Sequence, residues 1–121
     1  MSDRSVLLVN SNLMQPPVAP LALDYLGHAL QRKGFEVDVL DLCFAGDYAA
    51  AIKEYLGGND VLAVAVTFRN IDDSSFATMR SFLPQLKDIV HCITSRTSAP
   101  IILGGSGFSV MPEAVLDYCD L

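Results

Sequence analysis

The sequence predicts a three-layer α/β/α domain on a parallel sheet, and three observations carry that expectation. Short, continuous apolar runs alternate with amphipathic segments of helical length. Those runs lack the in/out alternation of strands with one wet face, so they suit a sheet covered on both sides. Glycines and prolines fall at the junctions, where a chain changes from one period to the other.

Ser5–Asn10 (SVLLVN) is an apolar run with a polar end, the pattern of a doubly buried strand. A proline-studded stretch, Ser11–Pro20, follows. Pro20 suits the first turn of a helix through Lys33, and Gly34 is a natural stop. Leu23, Leu26 and Leu30 form one stripe of that helix, while Asp24, His28, Gln31 and Arg32 form the other. Phe35–Asp41 alternates apolar and acidic residues, as an edge strand should. Asp47–Leu56 reads as an Ala-rich helix ended by Gly57 and Gly58, and Asp60–Thr67 as a central strand. After a polar stretch from Arg69 to Ser75, Met79, Phe82, Leu83, Leu86, Val90 and Ile93 recur at helical spacing, with Pro84 near the start or at a kink. Pro100–Leu103 is a fourth strand running into Gly104-Gly105-Ser106-Gly107, and a last helix begins near Pro112-Glu113. The order β-α-β-α-β-α-β-α calls for right-handed crossovers. Tyr118–Leu121 stands where a fifth strand is expected to begin, so residues 1–121 are expected to be one domain cut from a longer protein.

A net charge of −6 argues against nucleic acid or an anionic membrane as partner. No apolar run approaches the roughly 20 residues of a membrane span, and the N-terminus lacks the form of a signal peptide, so a cytoplasmic location is expected. Cys43, Cys92 and Cys119 are widely spaced, with no CxxC or CxxxCxxC, and read as free thiols of a reducing compartment. No metal ligand set follows from them.

In an open parallel sheet, ligands bind outside the carboxyl ends of the strands where the strand order reverses. For a flavodoxin-like order 2-1-3-4(-5), that crevice lies between the loops after strands one and three. The first loop is longer than the usual connection of about 2–6 residues. It carries Asn10, Ser11, Asn12 and Gln15, polar and uncharged, stiffened by Pro16, Pro17 and Pro20. The second offers Thr67, Arg69 and Asn70; Arg69 suits a phosphate or carboxylate, while Asp72, Asp73 or Ser74 suits a helix cap. In the third, Gly104, Gly105, Ser106 and Gly107 allow positive φ and let backbone amides face a ligand, the plain alternative being a tight strand-to-helix turn.

Several chemistries lack their residues. A phospho-receiver needs acids where Asn10 and Thr67 stand, a flavodoxin needs a Ser/Thr/Gly phosphate loop in place of the prolines, and there is no P-loop or dinucleotide fingerprint. His28 and His91 fall inside helices, and no nucleophile–base pair can be assembled, so no catalytic residue is assigned. A small enzyme using Arg69 with Asp72 or Asp73 is the least favoured reading.

VLLVN at 6–10, PP at 16–17, PLALDYLGHALQRKGFEVDVLDL at 20–42, VTFRNIDD at 66–73 and IILGGSGFSVMPEAVL at 101–116 together resemble the N-terminal cobalamin (B12)-binding domain of radical S-adenosylmethionine (SAM) proteins. The resemblance runs along nearly the whole chain. It implies a flavodoxin-like (Rossmann-like) fold with the cobalamin nucleotide tail between the carboxyl-end loops. It places Asn10, Ser11 and Asn12 on the corrin side, Thr67 and Arg69 at the tail contacts, and Gly104, Gly105, Ser106 and Gly107 where the tail packs. It implies as partner a C-terminal radical SAM domain of the same polypeptide, holding S-adenosylmethionine and a [4Fe-4S] cluster. The Asp-x-His-x-x-Gly motif whose His ligates cobalt in methyltransferases and mutases is replaced here by Asn10-Ser11-Asn12-Leu13-Met14-Gln15, so no protein His ligand is expected. The alternative function is a domain of this type that has lost the cofactor and serves in docking or substrate recognition.

Overall fold

The computed structural model describes residues 4–14, 19–73, 75–77 and 79–121. The strands are β1 (Ser5–Asn10), β2 (Val37–Asp41), β3 (Val61–Thr67) and β4 (Ile101–Gly104). The helices are α1 (Leu21–Arg32), α2 (Tyr48–Gly58), α3 (Leu83–Thr94), α4 (Ser106–Val110) and α5 (Pro112–Tyr118). The strands form one parallel sheet in the order β2-β1-β3-β4, as the alternation of elements predicts. β1 is buried along its whole length, which its unbroken apolar run requires in a central strand.

The two faces of the sheet are covered unequally. On one, Ile52 and Leu56 of α2, four residues of α3 and Val115 of α5 pack on Leu7, Val9, Val64, Val66 and Leu103. On the other, α1 alone supplies cover: buried Leu23 joins Val6 and Leu8, with Leu30 and Val37 beside them. Gly27 lets α1 approach closely, since a Cβ there would sit 3.5 Å from Leu8 and 3.6 Å from Val37. The expected leucine stripe is therefore only partly used. Leu26 is 42% exposed because α1 lies over β1 and β2, and no described element covers Ile102, 56% exposed, on the same face of β4.

Three local expectations differ from the structure. Gly57 and Gly58 belong to α2, which ends at Gly58 with Asn59 as its C-cap. Helix α3 starts at Leu83 with Pro84 in its first turn, so Met79 and Phe82 do not share its face. Instead Asp72 bridges Ser81, and the Phe82 amide donates to the Ile71 carbonyl at 2.7 Å. Last, the glycine-rich segment is not all loop, since α4 begins at Ser106. Among the described residues no helix is long and apolar enough to cross a membrane.

Helices α2 and α3 are also joined at the surface, where the Tyr48 hydroxyl donates to the Asp88 carboxylate. That bond, with partial burial and the adjacent negative charge, pushes the Tyr48 hydroxyl up to about 12. The Tyr55 hydroxyl, which donates to Asp38, is raised by burial and by that bond. A folded-state value above the unfolded one near 10 adds stability that is complete below pH 10 and lost as pH climbs through the folded value. Stability should therefore decline between pH 10 and 12, and Tyr48→Phe should make that decline shallower in a pH series of thermal melts.

Candidate functional site

Strand register places four residues in one row at the carboxyl edge of the sheet. Asn10 stands opposite Asp41 on one side and Thr67 on the other, and Thr67 stands opposite Gly104. Every loop that the sequence singles out leaves from this row.

The first loop is built by its own side chains. Asn10 is 3% exposed, and its Nδ2 donates to Asp41 Oδ1 at 2.9 Å. Its Oδ1 accepts the Asn12 amide at 3.2 Å, and Asn12 Oδ1 in turn accepts the Met14 amide at 3.0 Å. Ser11, also buried, donates through Oγ to the Thr67 carbonyl at 2.5 Å and so ties this loop to the end of β3. Asn10 and Ser11 are thus committed to protein partners, while Asn12 remains at the crevice wall. Gln15, Pro16, Pro17 and Ser74 lie outside the described residues.

The glycine segment clasps the end of β3. The Phe68 amide donates to the Gly104 carbonyl at 2.7 Å, while the Gly107 and Phe108 amides donate to the Phe68 carbonyl at 2.9 and 3.2 Å. Ser106 Oγ donates to the Arg69 carbonyl at 2.9 Å. A Cβ on Gly105, whose φ is +101°, would fall 2.7 Å from the Phe68 carbonyl oxygen, and one on Gly107 would fall 2.9 Å from it. These two glycines serve a backbone-to-backbone approach, and the Gly107 amide is spent on Phe68 instead of being turned to a ligand. Gly104 differs: a Cβ there would meet nothing within 4 Å.

Between the loops and α1 lies a cavity of about 320 Å³, lined by Asn10, Asn12, Pro20, Leu23, Thr67, Arg69, Gly105 and Ser106 among others. That volume falls within the range of small-molecule pockets, roughly 300–1,000 Å³. It adjoins a narrower apolar groove of about 120 Å³ running down the thinly covered face past Leu26, Ala65, Ile102 and Gly104. Arg69 is the one charged residue among the described residues lining either space, and no carboxylate does. In a chain of net charge −6, this is where an anion such as a phosphate is best tolerated. The depression at the amino edge is larger, about 920 Å³, but open and lined by Arg4, Glu36, Asp38 and Asp60. It lies at the opposite end of the strands from the loops.

Of the residues expected at the site, Asn10, Asn12, Thr67, Arg69, Gly105 and Ser106 line the cavity and Gly104 lines the groove. Asn70 lines a separate small notch with Ser11, Arg69 and Gln85, and Gly107 is a buried residue of α4 itself. His28 is exposed on α1, and His91 on α3 faces Asp120 at 3.1 Å, so neither lines the crevice. Among the described residues no cluster of His, Cys, Asp or Glu side chains could hold a metal ion. Sequence reasoning missed Asp41 and the first turn of α1, Pro20–Leu23. Only strand pairing brings Asp41 beside Asn10, and the apolar wall looks like ordinary helix in sequence.

The family model described as "B12 binding domain" matches residues 11–121. The tryptophan 2-C-methyltransferase of Streptomyces laurentii is 41% identical over 115 residues, which is 94% of this chain and 19% of that protein. The radical S-adenosylmethionine methyltransferase TsrM of Kitasatospora setae, solved with cobalamin and a [4Fe-4S] cluster bound, superposes with a TM-score of 0.93 at 42% identity, over 98% of this chain and 21% of that one. A second structure of TsrM, with tryptophan substrate and the SAM analog aza-SAM bound, gives 0.93 at 43% identity, over 98% and 22%. The chain spans about a fifth of the length of these relatives.

The two kinds of glycine should separate under mutation. Gly105→Ala should cost about 2 kcal/mol or more, from positive φ and the Phe68 clash together. Gly104→Ala should change stability by less than about 1 kcal/mol. Urea unfolding of both variants checks the contrast.

Proposed function

The chain belongs to the B12-binding domain family, and from that premise we propose that it holds cobalamin at the carboxyl edge of its sheet. The proposal extends to the parent protein, as the N-terminal module of a radical SAM methyltransferase. Residues 1–121 form the cobalamin domain, and S-adenosylmethionine and the [4Fe-4S] cluster belong to the remainder of the polypeptide. Cys43, Cys92 and Cys119, none of them in a disulfide among the described residues, fit a cytoplasmic protein.

The observation that carries this reading is the continuity of the 320 Å³ cavity with the apolar groove floored by Gly104. A bulky head with a long, partly aromatic tail needs such a shape: a wide mouth between loops and a slot along the sheet. The residues present fit it, because the slot remains open above Gly104 and its walls are apolar. In this reading Asn12, Thr67, Ser106 and Arg69 line the mouth, with Arg69 placed for the phosphate of the tail. Ala65, Leu26 and Ile102 flank the slot. Asn10, Ser11 and Gly107 hold the loops in place, and Asn70 lies in the neighbouring notch instead of the cavity. Cobalamin bound there supplies a cobalt that carries a methyl group. The Asn12 carbonyl is engaged by the Met14 amide, which leaves an amide NH2 at the position where related motifs carry a cobalt-ligating His.

Reconstitution with hydroxocobalamin should leave cobalt absorbance on the chain after desalting, and cobalamin at 100 times its dissociation constant should stabilise it by about 2.7 kcal/mol. Gly104→Leu should fill the slot and weaken binding roughly tenfold or more, with the unliganded melting temperature little changed. An unaltered melting temperature of the wild-type chain in excess cobalamin would favour the docking role instead.

A further inference from the structure

A closed ring of hydrogen bonds joins the end of β2 to the first crevice loop. Asn10 Nδ2 and the Cys43 amide both donate to Asp41 Oδ1, at 2.9 and 3.1 Å. Cys43 Sγ donates to the Met14 carbonyl at 3.7 Å. The Met14 amide donates to Asn12 Oδ1, and the Asn12 amide donates to Asn10 Oδ1, which closes the circuit. Asp41 also caps the 3-10 turn Leu42–Phe44 that carries Cys43.

We propose that Asp41 is a positioning residue for cobalamin: through Asn10 it fixes Asn12, and so sets which atoms of the first loop meet the corrin. An amide side chain such as Asn10 can present either its oxygen or its NH2. An acceptor at the NH2 end and a backbone N–H at the oxygen end together select one orientation, and Asp41 supplies the acceptor. With Nδ2 held by Asp41, Asn10 must turn its oxygen to the Asn12 amide. Asn12 is thereby held at the crevice wall with its own side-chain oxygen on the Met14 amide. Asp41 does not line the cavity, so it acts on the ligand only through these partners. The inference rests on the cobalamin reading above.

The test compares hydroxocobalamin affinity and the absorption spectrum of the bound form across four variants, with circular dichroism and melting as controls for folding. Asp41→Ala should weaken binding roughly ten- to hundredfold, the effect of losing a hydrogen bond to a charged group. It should also shift the cobalt absorption bands. Asp41→Asn keeps an oxygen for Asn10 and Cys43 and should restore affinity to near the wild-type value. Asn10→Asp sets two carboxylates together and should weaken binding like Asp41→Ala, without leaving a hole. The double variant Asn10→Asp/Asp41→Asn reverses the pair and should recover it. A wild-type chain that binds no cobalamin overturns the cobalamin reading, and this inference with it. A wild-type chain that binds, alongside Asp41→Ala and Asn10→Asp variants of unchanged affinity and spectrum, overturns the inference alone. If Asp41→Ala does not fold, the Asn10→Asp single and double variants decide: no recovery in the double overturns it.

Discussion

The Phe68 backbone is gripped from both sides by the glycine turn, with its amide on the Gly104 carbonyl and its carbonyl under the Gly107 and Phe108 amides. Most of the site depends on this clasp. At the carboxyl end of a parallel strand, backbone groups run out of ladder partners, and in a buried place they must find others. Here the ends of β3 and β4 satisfy each other, which brings Arg69 and Ser106 to the mouth of the crevice. Ser11 adds a brace from the other side by donating to the Thr67 carbonyl. The loops are thereby placed by hydrogen bonds of the backbone and of small buried polar side chains, leaving their more exposed groups for a ligand.

The unequal covering of the sheet sets where a ligand can go. Three helices pack on one face and bury Val64, Val66 and Leu103 of β3 and β4 there. On the other face α1 covers β1 and β2 only, so Ala65 and Ile102 border an apolar slot. An apolar surface of this sort is stabilised when a large, partly aromatic group covers it. The polar mouth and apolar slot thus follow from one arrangement, in which the crossovers send α1 to one face and α2 and α3 to the other.

Much of this was legible in the sequence, and the exceptions share a cause. β1 could be read because burial on both faces demands an unbroken apolar run, β3 and β4 because they carry runs of the same kind although Ile102 lies uncovered, and β2 because its sequence alternates. The row of strand ends and most of the cavity-lining residues followed from the parallel order. The start of α3 was not legible. Met79 and Phe82 keep helical spacing by coincidence, while Met79 adopts φ +47° and Phe82 bonds back to Ile71. The glycines were visible but their duties were not, since only the folded backbone shows that Gly105 and Gly107 face Phe68 and that Gly104 faces open space. Asp41 was invisible for the same reason: its bond to Asn10 spans 31 residues and exists only through strand register.

The thin cover of α1 also bears on how a bulky molecule could enter. α1 is held to the sheet through Leu23, Gly27 and Leu30, while the opposite face carries nearly all of the large, fully buried side chains. Local opening is least costly where few apolar contacts must be broken. The wall beside the crevice is therefore the part of the fold whose opening breaks the fewest apolar contacts. Amide hydrogen exchange along Leu21–Arg32 would then run faster than along Leu83–Thr94, and a molecule lodged in the slot would slow it by supplying the contacts the sheet leaves unmade.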